Sequence, residues 1–328
     1  MKKIVATLTC LLLAIIMCVG LVACETGEIK VNPDKEHYVV GICQLTQHAA
    51  LDEATRGFKE ALQTALAEKG RTVEFDEQNA SNEPTICTTI VSGFVAKDVD
   101  LILANATSPL QAAAAATATI PVLGTSITDY ATALEIDNWT GTVGNNISGT
   151  SDLAPLDQQA DMIVEMFPDT QKVGILYCSG EPNSKYQSTE MQKYLAEKGI
   201  ETREFSFADT NEVNSVAQLA CDYSDVIYIP TDNTCASNTE AIANVVLAEK
   251  VPVIAGESGI CQGCGVATLS ISYYDIGYQT GLMAAQVLLG EKDIREMPIQ
   301  FAPEVTKLYN AENCRQLGIT VPDGYEAM

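Results

Sequence analysis

Short polar residues stand at the ends of apolar runs throughout this chain, and no Lys or Arg stands among them. Thr46-Gln47-His48, Thr107-Ser108, Thr125-Ser126 with Asp129, Ser179 to Ser184, Thr231-Asp232-Asn233 and Glu257-Ser258 each follow such a run. Ser151-Asp152 closes another. A phosphate or polyanion is ordinarily met by Arg or Lys, so this inventory argues against one. Asp152, Asp232 and Glu257 can pair with a cationic group, while hydroxyls and free helix N-terminal N–H groups can hold a carboxylate. A cation and a carboxylate on one small molecule describe an amino acid. The same residue types also serve as helix N-caps and turn formers, and Ser108, Asp129 and Asn211 are read that way.

Catalytic and metal chemistry is poorly supplied. The chain holds two histidines, His37 and His48, on separate segments, and no Gly-x-Ser-x-Gly elbow, phosphate loop or paired-histidine motif. Cys261-Gln-Gly-Cys264 is the one CxxC, in a Gly-rich loop, and lacks the two further ligands a zinc site needs. It reads as a structural disulfide or as two plain thiols. Cys43, Cys87, Cys178, Cys221, Cys235 and Cys314 sit mostly in apolar contexts, where a thiol is a small hydrophobe. No enzyme activity, cofactor or metal is expected. Aromatic residues make up 6% of the chain, which disfavours a sugar site built on stacked rings. Trp139 either walls a cleft or packs against a hinge; Tyr177, Tyr186, Tyr273 and Tyr274 are the other aromatics near strand ends or the crossover.

The amino terminus assigns a compartment. Met1-Lys2-Lys3, an apolar run from Ile4 to Val19, and Leu21-Val22-Ala23-Cys24 form an export signal, its last four residues resembling the lipobox of exported lipoproteins. Residues 1–23 are then removed and Cys24 carries the lipid, placing the protein outside the cytoplasm on the bacterial cell membrane. Removing them takes away two lysines and no acid, moving the formal charge from −24 to −26. That balance excludes nucleic acid and a basic lipid-binding patch. Residues 24–36 are a polar tether.

The elements that must position the polar residues are an alternation of strands and helices, written twice. Tyr38 to Leu45 is a strand, Ala50 to Lys69 an amphipathic helix, Thr72 to Phe75 a strand, 83–96 a helix, Asp100 to Ala104 a strand, 110–117 a helix and Pro121 to Gly124 a strand. Lys172 to Tyr177 answers the first strand, Leu195-Ala-Glu-Lys-Gly199 answers Leu66-Ala-Glu-Lys-Gly70, Asp225 to Ile229 answers Asp100 to Ala104, and Val251 to Ile254 answers Ile120 to Leu123. Such alternation predicts an α/β protein with parallel sheets covered on both faces. Two doubly wound, Rossmann-like lobes are expected: 37–147 with 265–297, and 148–264 with 298–328. Val143 to Asp152 makes the first crossover, the helix Tyr274 to Leu289 returns to the first lobe, and the final stretch crosses back to complete a three-strand hinge. Ligands of open α/β sheets sit beyond the carboxyl ends of the strands, here in the cleft between lobes. The expected ligand-binding set is Thr46, Gln47, Thr107, Ser126, Ser151, Asp152, Asn183, Ser184, Asp232 and Glu257.

The blocks Gly41-Ile-Cys-Gln-Leu45, His48-Ala-Ala-Leu-Asp52, Gly149-Thr-Ser-Asp152, Asn183-Ser184, Pro230-Thr-Asp-Asn233 and Gly256-Glu257 resemble the extracytoplasmic substrate-binding proteins of ABC importers. The likeness is greatest to the branch with tryptophan- and tyrosine-binding lipoproteins and covers nearly all of residues 37–302. It implies a type I periplasmic-binding-protein fold closing on one ligand, with delivery to a membrane permease and its cytoplasmic ATPase. It also implies that Ser151, Asp152, Asn183, Ser184, Asp232 and Glu257 line the site. The thiols Cys43 and Cys178 and the CxxC are not part of the family's pattern. The expected function is capture of a small zwitterion, foremost an aromatic amino acid, for import. A sensing lipoprotein of the same fold, or another solute such as a nucleoside or sugar, stands as the alternative.

Overall fold

A computed structural model describes residues 28–302 and 304–328; the signal segment and Cys24 lie outside the described residues. In the first half of the chain, β1 (His37–Gln44), α1 (Ala49–Glu68), β2 (Thr72–Asn79), α2 (Pro84–Ala96), β3 (Leu101–Asn105), α3 (Thr107–Ala116), β4 (Val122–Ile127), α4 (Tyr130–Ala133) and β5 (Ile147–Ser151) follow one another. The second half repeats the order with α5 (Leu156–Met166), β6 (Lys172–Cys178), α6 (Pro182–Glu197), β7 (Glu201–Phe207), α7 (Val213–Tyr223) and β8 (Val226–Ile229). It continues through α8 (Asn233–Ser237), α9 (Thr239–Val246), β9 (Val253–Ala255), α10 (Ser258–Cys264) and β10 (Ala267–Ser270). The chain ends with α11 (Tyr273–Leu288), β11 (Gln300–Phe301), β12 (Thr306–Tyr309), α12 (Ala311–Leu317) and β13 (Glu326–Ala327).

Two sheets result, ordered β2-β1-β3-β4-β5-β11 and β7-β6-β8-β9-β10-β12-β13. All pairings are parallel except β10 with β12. The order 2-1-3-4-5 thus occurs in both lobes, with β6 to β10 standing where β1 to β5 stand in the first. Each buried strand feeds two cores because successive side chains alternate faces. Leu101 and Leu103 join Tyr38, Val40, Phe58 and Met283 on one side of the first sheet; Ile102 and Ala104 join Cys43, Val91, Phe94 and Leu110 on the other.

The lobe boundaries fall later than the sequence implies. β10 is the fifth strand of the second sheet, paired with β9 and β12, so the chain returns to the first lobe at Ile271-Ser272 rather than at 265. β11 pairs with β5 on the edge of the first sheet, so the last crossing lies between Phe301 and Thr306 rather than at 298. β5 likewise belongs wholly to the first sheet, and the first crossing follows Asp152, whose N–H still donates to the Ile127 carbonyl at 3.1 Å. The repeat explains the first shift: a lobe built as 2-1-3-4-5 needs its own fifth strand before the chain leaves. The segment expected as tether is partly docked, with Lys30 N–H on the Thr119 carbonyl at 2.8 Å and the Tyr38 hydroxyl on the Asn32 carbonyl at 3.1 Å.

After the second crossing α11 lies along α1 with the backbones nearly touching. A Cβ on Gly277 would come within 2.0 Å of the Ala54 carbonyl oxygen, and one on Gly57 within 2.2 Å of that of Tyr274. This contact fixes where Tyr273, at the first turn of α11, enters the space between the lobes. Gly149 in β5 has φ +147°, and a Cβ there would stand 2.0 Å from the Gly124 carbonyl, so only glycine lets β4 and β5 deliver their ends side by side.

Candidate functional site

The strand-end loops of both lobes converge on a small cavity between the lobes lined by His48, Leu51, Ser126, Thr128, Asp152, Asn183, Thr231, Asp232, Asn233, Ala236, Glu257 and Tyr273. The lobes meet around it through hydrogen bonds: Thr128 Oγ1 with Thr231 Oγ1 at 3.2 Å, His48 Nε2 with Asn233 Oδ1 at 3.2 Å, and Asn82 Nδ2 to Thr234 Oγ1 at 3.0 Å. The cleft is closed.

Asp152 follows β5 and is 5% exposed. Its Oδ2 accepts from the Tyr273 hydroxyl at 2.9 Å, and its Oδ1 is buried with no partner. Burial pushes its carboxyl up to about 6; the Tyr273 and Thr128 hydroxyls oppose that rise and the nearby Glu257 adds to it. Two more polar atoms are equally buried and unpartnered, Ser126 Oγ and His48 Nδ1. Ser126, next to last in β4, has φ 56°, a left-handed backbone that costs a serine energy and occurs where surrounding structure imposes it. Unpaired buried polar atoms are rare in folded proteins because each forfeits its bonds to water. Three of them line this one cavity.

The second lobe's carboxylates are differently placed. Asp232 caps α8: Oδ1 accepts from Cys235 N–H at 2.7 Å, and Oδ2 from Cys178 N–H and the Ser184 hydroxyl, each at 2.7 Å. Burial raises its carboxyl to about 7, with the Glu181 charge adding and those three donors opposing. Glu257 caps α10, accepting from Gly259 and Ile260 N–H at 2.5 Å each. Burial raises it too, and the Gly259 and Ile260 N–H groups partly offset the rise. Among the described residues, no Lys or Arg lines the cavity.

Of the residues expected from sequence, the structure brings Ser126, Asp152, Asn183, Asp232 and Glu257 to the cavity wall. Ser151 and Ser184 lie directly behind it. Ser151 Oγ donates to the Thr128 carbonyl and accepts from Leu153 N–H, while Ser184 donates to Asp232. Thr46 and Thr107 are buried outside the cavity lining, and Gln47 faces the outer surface with Asp52, Arg56 and Lys59. His48, Thr231, Asn233 and Tyr273 line the wall without having been in the expected set; the first three are strand-end residues and Tyr273 is a flagged aromatic. Leu51 was findable by periodicity, being three residues beyond His48 on a helical face, whereas the left-handed turn at Ser126 and the irregular pairing of β4 after Gly124 break the alternation that would have carried Thr128. Ala236 carried no signal. Trp139 is 36% exposed and outside the cavity lining. Cys261 and Cys264 are buried free thiols, so of the two readings of that pair the structure has plain thiols.

Residues 39–326 match the sequence profile of the family described as ABC transporter substrate binding protein. The tyrosine-binding protein of Clostridioides difficile (strain R20291) is 32% identical over 292 residues, spanning 89% of this chain and 84% of that protein. The ABC domain in complex with L-Trp from Streptococcus pneumonia superposes with a TM-score of 0.82 at 29% identity, covering 88% of this chain and 99% of that one. The ligand-free, open structure of a substrate binding protein with adhesive properties from Clostridium difficile gives 0.68 at 32% identity, covering 89% and 99%. The better superposition on the Trp complex accords with the interlobe hydrogen bonds that close the cavity here. The chain belongs to the ABC transporter substrate-binding proteins, extracytoplasmic proteins that take small-molecule solutes for ABC transporters.

Proposed function

We propose that this protein captures an aromatic L-amino acid in the interlobe cavity and presents it, lobes closed, to a membrane permease driven by an ATPase. The observation that carries the reading is the set of three buried, unpartnered atoms, His48 Nδ1, Ser126 Oγ and Asp152 Oδ1, on the wall of one acidic cavity without Lys or Arg. Asp152 Oδ1 accepts the ligand ammonium. The Ser126 hydroxyl and the first amides of α1, whose N-cap makes no side-chain cap bond, receive the carboxylate. Ligand contacts from both lobes then favour the closed form over the open one. Relatives named for tyrosine binding and solved with L-Trp support the aromatic class. The chain acts by binding and performs no reaction. It is held at the bacterial membrane by lipid on Cys24 after removal of residues 1–23, with the lobes divided at the three crossings after Asp152, at Ile271-Ser272 and after Phe301.

Thermal unfolding of the purified protein against the twenty amino acids, nucleosides and common sugars tests this. A ligand at a hundredfold its dissociation constant adds about 2.7 kcal/mol to stability. A rise in midpoint confined to tryptophan, tyrosine or phenylalanine is expected; a rise with nucleosides or sugars alone would overturn the ligand class.

A further inference from the structure

A chain of hydrogen bonds sets which nitrogen of His48 carries its proton, and so what the far end of a bound side chain must offer. Glu181 accepts five contacts. Thr234 N–H and Oγ1 meet Oε1, each at 2.8 Å; Asn233 N–H (2.9 Å), Asn233 Nδ2 (2.8 Å) and Asn183 Nδ2 (3.2 Å) meet Oε2. Four of these five are N–H donors, so the carboxylate acts purely as acceptor. The Asn233 amide is thereby oriented with its NH₂ on Glu181 and its Oδ1 on His48 Nε2, 3.2 Å away. An amide oxygen accepts only, so Nε2 bears the hydrogen, and in that tautomer Nδ1 keeps a lone pair. That atom is fully buried and has no partner, on a residue that lines the cavity.

We propose that His48 determines side-chain specificity: its Nδ1 accepts a hydrogen bond from a ring donor of the ligand, the N–H of an indole or the O–H of a phenol. The inference rests on the reading above that an aromatic amino acid fills the cavity. Asp152 Oδ1 is the charged acceptor and takes the ammonium; the imidazole lone pair suits a neutral N–H or O–H. Phenylalanine has the same shape as tyrosine but brings no donor. Binding it leaves Nδ1 buried and unpaired, as a site built for a hydroxyl does when offered the analogue lacking one.

Calorimetric titration of L-tyrosine, L-tryptophan and L-phenylalanine into the wild type and His48→Leu decides it, with the ratio of dissociation constants as readout. The wild type is expected to bind the tighter of the two donor-bearing ligands at least about tenfold better than phenylalanine, equivalent to about 1.4 kcal/mol. In H48L that ratio should fall to within about threefold. Asn233→Leu, which removes the acceptor holding Nε2–H, should narrow the ratio as well and serves if H48L does not fold. A ratio preserved in both variants, or an equal loss for all three ligands, overturns the proposal, since His48 would then touch nothing or a group the ligands share. Absence of binding by all three to the wild type would instead overturn the aromatic reading beneath it.

Discussion

The two lobes share one fold and one cavity but equip it in opposite ways. On the first lobe, His48, Ser126 and Asp152 each keep a buried polar atom free. On the second, Asp232, Glu257 and Glu181 have their oxygens bonded within the lobe, and Gln187 spans Thr231 by accepting from its N–H and donating to its Oγ1. Backbone strain divides the same way. Positive-φ non-glycine residues in or just after strands, Ser81, Asn82, Ala106 and Ser126, all belong to the first lobe; the second has Lys250, on its surface. A repeated fold therefore does not repeat its function. The first lobe supplies the ligand's hydrogen bonds, and the second is a preorganised wall that closes over it.

The largest test of this division is Asp152→Ala. Leaving a ligand ammonium buried without its partner costs about 3–5 kcal/mol, so affinity should fall by at least about a hundredfold in calorimetry. Asp232→Ala should act mainly on the fold. It strands the Cys178 and Cys235 N–H groups and the Ser184 hydroxyl, at about 3 kcal/mol of stability, read in denaturant unfolding. Gly277→Ala forces a methyl against the Ala54 carbonyl where α1 and α11 meet, and overpacking of that kind costs about 1–3 kcal/mol, visible as a lowered unfolding midpoint.

Acidity should pull binding and stability apart. Asp152 and Asp232 are raised in the fold to about 6 and about 7 from an ordinary 3.8, so the folded, ligand-free protein holds protons that the unfolded chain has released. Their contribution is fully present below about pH 4 and is lost as pH rises through 6 to 7. The ligand-free midpoint should therefore rise on acidification from pH 8 to 5.5. Affinity for the zwitterion should fall over the same range, as Asp152 takes a proton where the ammonium would sit. The smallest effect is expected at the surface: removing the Lys30 partner of Asp98, an exposed pair, should leave the unfolding midpoint essentially unchanged.

Much of the architecture was legible because buried parallel strands are continuous apolar runs. Leu-Ile-Leu-Ala at 101–104 and Val-Ile-Tyr-Ile at 226–229 announce themselves, and the strand-end rule then points to Ser126, Asp152, Asp232 and Glu257. Short strands were less legible: β10 and β11 have few residues and no strong pattern, so the later crossings were placed early. What no pattern carries is the occupancy of hydrogen bonds. Asp152 and Asp232 look alike in sequence, yet one oxygen of Asp152 is free while Asp232 is engaged by donors from β6, α6 and α8. Gln47 and His48 are neighbours, but the turn into α1 sends one outward and the other into the cavity.

Calorimetric titration of tyrosine and tryptophan into Asp152→Asn and Asp232→Asn, side by side with the wild type, tests the division most directly. If the first lobe holds the ligand, D152N loses at least about a hundredfold in affinity, while D232N loses less than about tenfold and shows its cost in the unfolding midpoint. The reverse ranking would place the ammonium on the second lobe and contradict the account.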